Sequence, residues 1–383
     1  MKKKFILTSV FIISACILLA SVLFIQQQNN NETAAKLHPV KEHSLRDQLA
    51  MSRILTEKLT IGAIGDILIH DTVYQDAFNG AQYDFNPIFA NVKGILESPD
   101  ILTANQESML GGVGIGVSSY PMFNSPHEVA DALVNTGVDI VSLANNHTLD
   151  KGERGIVSAT DYLNSVGLPH VGSSLNEADR QQLRIITKNG IKIAFLSYTY
   201  GTNGIPIPEG KDFLVNLINR DIMSDEIGRA KKEADVVVMS IHWGNEYQRI
   251  PTNEQKDLAH FLANEGVDII FGSHPHVLQP MEWIQTEDGR KSFVIYSLGN
   301  FISGQVRDYK DIGGMATVEI TKQVTESGKT IELTNPAFYP TFVSSQRSRN
   351  YQVVPLENAG SFGLQNAPVK YQEIQEHMTQ WLR

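Results

Sequence analysis

Leu59-Thr60-Ile61-Gly62-Ala63-Ile64-Gly65-Asp66 is an apolar, β-rich run that stops on a carboxylate. It reads as a buried strand leaving its sheet through a tight turn. Four later runs end in a similar way. Residues 101–104 stop at Asn105-Gln106-Glu107, and residues 139–143 lead through Ala144 into Asn145-Asn146-His147. Residues 236–241 end at His242-Trp243-Gly244, and residues 269–271 end at Gly272-Ser273-His274-Pro275-His276. A polar residue after one strand is ordinary. Five such ends carrying Asp, Glu, Asn or His predict a shared sheet edge, the place where open α/β folds gather ligands. These side chains predict a metal centre there.

Between the strands lie helical stretches at about 127–136, 154–166, 224–233 and 254–265. Gly137, Gly167 and Gly266 follow three of them, as suits the left-handed position after a helix. The alternation predicts a layered α/β/α sandwich over residues 58–305. Beyond it, residues 313–321 and 329–343 predict antiparallel strands around Glu326-Ser327-Gly328, and residues 370–382 a closing amphipathic helix. Residues 306–383 are thus expected to form a β/α extension packed on the same domain.

The chain has 383 residues and a net charge of −10. Lys2, Lys3 and Lys4 precede the first apolar run, so the remainder is more acidic still. No basic patch with interleaved aromatics is present, which argues against a nucleic-acid partner. Residues 5–25 carry no charge over 21 positions, enough for a membrane helix with residues 1–4 in the cytoplasm. A cleaved signal peptide and a lipoprotein cleaved before Cys16 are the rival readings, but the apolar run is longer than a signal peptide needs and continues past Cys16 to Ile25. Cys16 is the single cysteine, so no disulfide is expected outside the membrane. Residues 26–57 are polar and predict a stalk, helical from about 44 to 57.

Six motifs follow one another over about residues 59–305: Gly65-Asp66-Ile67-Leu68, Asn105-Gln106-Glu107, Ala144-Asn145-Asn146-His147 with Asp150 and Gly152, His242-Trp243-Gly244-Asn245-Glu246-Tyr247, Gly272-Ser273-His274-Pro275-His276-Val277 and Tyr296-Ser297-Leu298-Gly299-Asn300-Phe301. The series resembles the CapA/PgsA family of poly-γ-glutamate capsule biosynthesis proteins. That resemblance implies a calcineurin-like metallophosphatase fold on the outer face of the bacterial cell membrane, held by one N-terminal helix. It also implies a part in capsule or surface-polymer biosynthesis or export, with an anionic polymer and synthase or export subunits as partners. Leu68 stands where metallophosphatases often carry His, and Asn105-Gln106-Glu107 replaces their second acidic motif. One ion or two is therefore expected.

Within that set, His274 and His276 offer imidazoles suited to Mn, Fe, Zn or a similar divalent ion. His242 is a third imidazole. Asp66 is a hard carboxylate ligand and a catalytic candidate, and Glu107 would bridge if two ions bind. Asn146 offers a side-chain carbonyl, whereas its neighbour His147 points elsewhere and suits a general acid. His70 either approaches the site or caps the following helix. Asn105 belongs to the same set, Glu246 and Tyr247 shape the wall or support the histidines, and Asn300 with Ser297 steadies the loops. The residues serve phosphoester or amide hydrolysis, epimerisation at an α-carbon, or a non-catalytic accessory role in a polymer synthase. They do not separate these.

Overall fold

The computed structural model describes residues 55–326 and 328–382, together with Ser21, Leu23 and Gln26. The expected anchor, apart from Ser21 and Leu23, and most of the expected stalk lie outside the described residues. No helix among those described is long and apolar enough to cross a membrane. The chain divides into two compact units, Met1–Leu55 with Val324–Gly328, and Thr56–Gln323 with Lys329–Arg383. The second holds the candidate site.

Among the described residues the strands, in chain order, are β1 (Leu55–Leu68), β2 (Ile101–Gln106), β3 (Ile140–Ser142), β4 (His170–Val171), β5 (Arg184–Lys188), β6 (Ile191–Thr199), β7 (Val236–His242), β8 (Ile269–Ser273), β9 (Leu278–Gln285), β10 (Lys291–Leu298), β11 (Asn300–Ser303), β12 (Ile312–Thr325), β13 (Gly328–Ser344) and β14 (Gln352–Pro355). One sheet runs β14-β13-β12-β1-β2-β3-β4, with β11 also pairing to β1. The other runs β5-β6-β7-β8-β10-β9. In the first, β1 to β4 are parallel. In the second, β6, β7, β8 and β10 are parallel, flanked by antiparallel β5 and β9.

Side chains alternate across the strands, so the central strands each serve two cores. Ile61, Ala63, Ile101 and Ile140 of the first sheet meet Ile193, Phe195, Val238, Ile269 and Phe271 of the second in one cluster. Their alternates Ile64, Leu102, Ala104 and Val141 pack beneath the helices Asp71–Ala77, Glu128–Asn135 and Gly152–Ser165. Ala194, Leu196, Val237, Met239 and Ile270 pack beneath Arg220–Glu233 and Asn253–Glu265. The layers are α/β/β/α, with two sheets in place of the single sheet expected. Alternating strand and helix cannot show which strands share a sheet. The chain leaves the first sheet between β4 and β5, and the second sheet opens with the β5–β6 hairpin, turned by Asn189 (φ 49°) and Gly190 (φ 75°). Asn-Gly between two strands signals a two-residue hairpin in the sequence.

One boundary is corrected. β1 begins at Leu55, so residues 55–57 are strand and not the end of a helical stalk. Glu57 there forms an ion pair with Lys322 at 3.1 Å. β12 neighbours β1 directly, so β12, β13 and β14 carry the first sheet from β1 out to its β14 edge. The helix Ala367–Thr379 packs into the core between the sheets through Ala367, Ile374 and Met378.

Two glycines permit close backbone approach where the site is built. A Cβ on Gly65 would lie 2.0 Å from the Gly299 carbonyl oxygen, and one on Gly272 would lie 2.1 Å from that of Tyr296. Gly65 thus lets the Asp66 N–H donate to Gly299 at 2.8 Å. Gly65→Ala is expected to lower unfolding free energy by roughly 1–3 kcal/mol through overpacking. Gly94, with nothing within 4 Å of a built Cβ, is the control. Gly94→Ala should stay within about 0.5 kcal/mol of the parent in the same denaturant melts.

Candidate metal centre

Parallel strands from both sheets end over one buried spot. Asp66, near the end of β1, accepts from Asn105 Nδ2 at 2.8 Å through Oδ1. Its Oδ2 lies 3.1 Å from His276 Nδ1, and Asn300 Oδ1 lies 3.0 Å from the same nitrogen. Two acceptors on Nδ1 assign a proton there, and Nε2 faces Glu107 at 3.8 Å. His242 ends β7 with Nδ1 at 2.9 Å from Ser273 Oγ. Its Nε2 lies 2.8 Å from Asn146 Oδ1 and 3.6 Å from Glu107. Asp66, Asn105, Glu107, Asn146, His242, His276 and Asn300 therefore form one connected set.

His274 joins it through a strained segment. His274 (φ 97°), His276 (φ 58°) and Tyr247 (φ 66°) occupy left-handed backbone that a Cβ disfavours. The Tyr247 N–H donates to the Pro275 carbonyl at 2.7 Å, tying the two strained segments together. Such residues cost on the order of 1–3 kcal/mol each and persist where their surroundings fix them. Here they aim two imidazoles at one point.

The donors converge without being satisfied. Neither oxygen of buried Glu107, nor Nδ1 of His274, has a hydrogen-bond partner among the described residues. Ligand atoms of Glu107, His274 and His276 lie within 4.8 Å of one another, all buried. Burial, then the Asp66 charge, pushes Glu107 well above the usual carboxylate range. Burial also lowers His274 to about 3 and His242 well below its ordinary value. His276 is subject to the same burial, but Glu107 and Asp66 outweigh it and raise the ring to about 9. Buried polar atoms left unpaired are costly, and a cation among them removes that cost. Glu107, His274 and His276 fit a divalent ion. Both Asp66 oxygens are engaged by neighbours, which places it behind His276.

His147 stands beside the set. Its Nδ1 lies 2.7 Å from Asp150 Oδ2, which also accepts the Phe123 N–H at 2.6 Å. The ring meets Phe123 edge-on at 4.7 Å. His70 lies across Phe123, edge-on at 5.1 Å. It occupies the position before Asp71–Ala77 but makes no side-chain cap, and its Nδ1 accepts the Gly304 N–H at 3.1 Å. It is therefore a packed support, and burial lowers it to about 4. Glu246 is exposed on the loop after β7, and Tyr247 is half-exposed with its ring 6.1 Å from His276.

Sequence reasoning gave no role to Asp150, Ser273 or Tyr200. Asp150 follows His147 by three positions inside a quoted motif, a usable signal. Tyr200 has none. It follows β6, meets His274 at 4.7 Å, stacks parallel to His242 at 6.3 Å and is half-exposed.

Residues 60–305 match the family described as bacterial capsule synthesis protein PGA_cap. Over 262 residues the chain is 30% identical to the capsule biosynthesis protein CapA of Bacillus anthracis, covering 65% of this chain and 61% of that one. It is 32% identical over 180 residues to the PGA biosynthesis protein CapA of Bacillus subtilis strain 168, covering 46% of each. The chain thus spans 61% and 46% of the length of these relatives. A solved 5'-nucleotidase precursor from Thermus thermophilus aligns at 12% identity with a TM-score of 0.43, over 78% of this chain and 54% of that one. That likeness says nothing about the chemistry of this chain. With the family match spanning residues 60–305, more than half the sequence, the chain belongs to the PGA_cap family of bacterial capsule synthesis proteins.

Proposed function

We propose that this chain is a membrane-anchored, extracytoplasmic protein that serves the production or export of poly-γ-glutamate or a related anionic surface polymer through a divalent metal centre. The observation that carries the metal reading is buried Glu107, both oxygens unpartnered among the described residues, facing three histidines. The CapA relatives support the polymer role. The uncharged residues 5–25 behind three lysines support the anchor, with one crossing of the bacterial cell membrane. Synthase or export subunits are the expected partners. A metallophosphatase-like arrangement is the finer reading of the two-sheet sandwich.

Glu107, His274 and His276 would hold the ion, with His242 and Asn146 alongside. Because Asp66 is bonded to Asn105 and His276, the geometry supports one ion more directly than two. When bound, a divalent ion lowers the pKa of a coordinated water and polarises a carbonyl or phosphoryl oxygen. The protein's own groups prepare that chemistry. Asp66 and Asn300 fix the His276 tautomer, and Ser273 orients His242. Asp150 holds the Nδ1–H of His147, so Nε2 is the atom that gives a proton to a leaving group or takes one.

The full-length chain is expected to take up about one divalent transition ion, and saturation at about 100 times Kd should stabilise it by roughly 2.7 kcal/mol. Glu107→Gln should melt at or above the parent temperature without metal, since a neutral amide replaces a carboxyl that burial and Asp66 make costly to ionise. The same variant should lose most of the metal-dependent gain. Thermal melts with chelator and with added Mn or Zn measure both.

His147→Ala should leave metal content intact in elemental analysis. In cells lacking the native gene it should reduce surface polymer by roughly a hundredfold or more, the usual scale for a lost proton-transfer group. Normal polymer from both His147→Ala and Glu107→Gln would assign the chain a scaffold role.

A further inference from the structure

The loop after β11 carries three consecutive non-glycine residues in left-handed backbone, Arg307 (φ 64°), Asp308 (φ 50°) and Tyr309 (φ 65°). Each costs on the order of 1–3 kcal/mol, so a run of three is kept only by strong local restraint. That restraint is explicit. Asp311 Oδ2 accepts the Arg307 N–H at 3.0 Å, and the Lys310 N–H donates to the Arg307 carbonyl at 2.9 Å. The Tyr309 ring lies under the Arg249 guanidinium at 3.8 Å and the Lys370 ammonium at 4.4 Å, while its hydroxyl donates to Glu373 at 2.6 Å.

The turn places Lys310 at the mouth of the metal centre. Its ammonium sits 5.2 Å from the centre of the Tyr247 ring, and that ring lies 6.1 Å from His276. Asn300, whose Oδ1 orients His276, donates through Nδ2 to the Lys310 carbonyl at 2.8 Å. One side chain therefore ties an expected metal ligand to the backbone of the turn that carries Lys310. The ion pair of Lys310 with Asp308 is long, 3.7 Å, and the Asp308 side chain is 86% exposed, so it holds the ammonium weakly. Tyr247 and Lys310 take no part in the ligand set.

We propose that Lys310, stacked on Tyr247, forms a subsite for an anionic group of the substrate beside the bond held at the metal centre. The proposal rests on the metal-centred reading above and adds the residue that would select a charged over a neutral substrate.

The test uses the full-length chain in detergent, with a γ-linked glutamate pentamer and its methyl ester as probes in calorimetry, and elemental analysis for metal. Lys310→Gln is expected to bind the pentamer roughly tenfold more weakly, as for a lost charged hydrogen bond. Its metal content should be unchanged, and it should bind the ester as the parent does. Lys310→Arg should keep most pentamer binding. Tyr309→Ala should reproduce the loss without touching the charge. Equal pentamer binding by the parent and Lys310→Gln overturns the subsite, as does a parent that binds acid and ester alike or binds neither. A parent that takes up no metal yet loses the pentamer on Lys310→Gln upholds the subsite and removes the metal reading.

Discussion

Glu107 is a carboxylate enclosed by protein, with neither oxygen paired among the described residues, and the site is organised around that unmet demand. His276 and His242 face it at 3.8 and 3.6 Å. The charge of Asp66 adds to burial in raising Glu107. The same charge, with that of Glu107, holds His276 up where burial alone would lower it. Acids and imidazoles so arranged are poised for a cation, because any one of them left alone in a dry interior is unfavourable.

Holding such a cluster needs rigid supports, and these come from several elements at once. β1 supplies Asp66, β2 supplies Asn105, β7 supplies His242 and β8 supplies Ser273. Gly65 and Gly272 let the backbones of β1 and β8 approach their neighbours more closely than a side chain would allow. The left-handed residues His274, His276 and Tyr247 then turn side chains inward that a regular loop would send elsewhere. Asn300 extends this order outward, binding His276 on one side and the Lys310 turn on the other. Strain at the rim and order at the centre thus share one amide.

The donor types on these strand ends are set by the covalent sequence. An apolar run stopping at Asp66, Asn105-Gln106-Glu107 or His274-Pro275-His276 identifies both a strand and a group able to bind metal. Helix ends were legible for the same local reason: Gly137, Gly167 and Gly266 all take positive φ. The Asn145 turn is equally local, since its Oδ1 accepts the His147 N–H two residues on at 2.9 Å. His70 shows the limit. Its position before a helix suggested a cap or a site residue, but the distant Gly304 N–H took its ring nitrogen.

The sequence by itself determined the order of strands and helices, the chemistry at the strand ends and the family, because these depend on residue type and spacing along the chain. Only the tertiary structure decided that there are two sheets, that β12 lies beside β1, and that Asp66 serves His276 while Glu107 faces the centre. It alone brought Tyr200 and Lys310 to the mouth. Pairing between strands and the direction of a side chain are set by contacts between residues far apart in the chain, such as Asp66 with His276, and no local pattern encodes them.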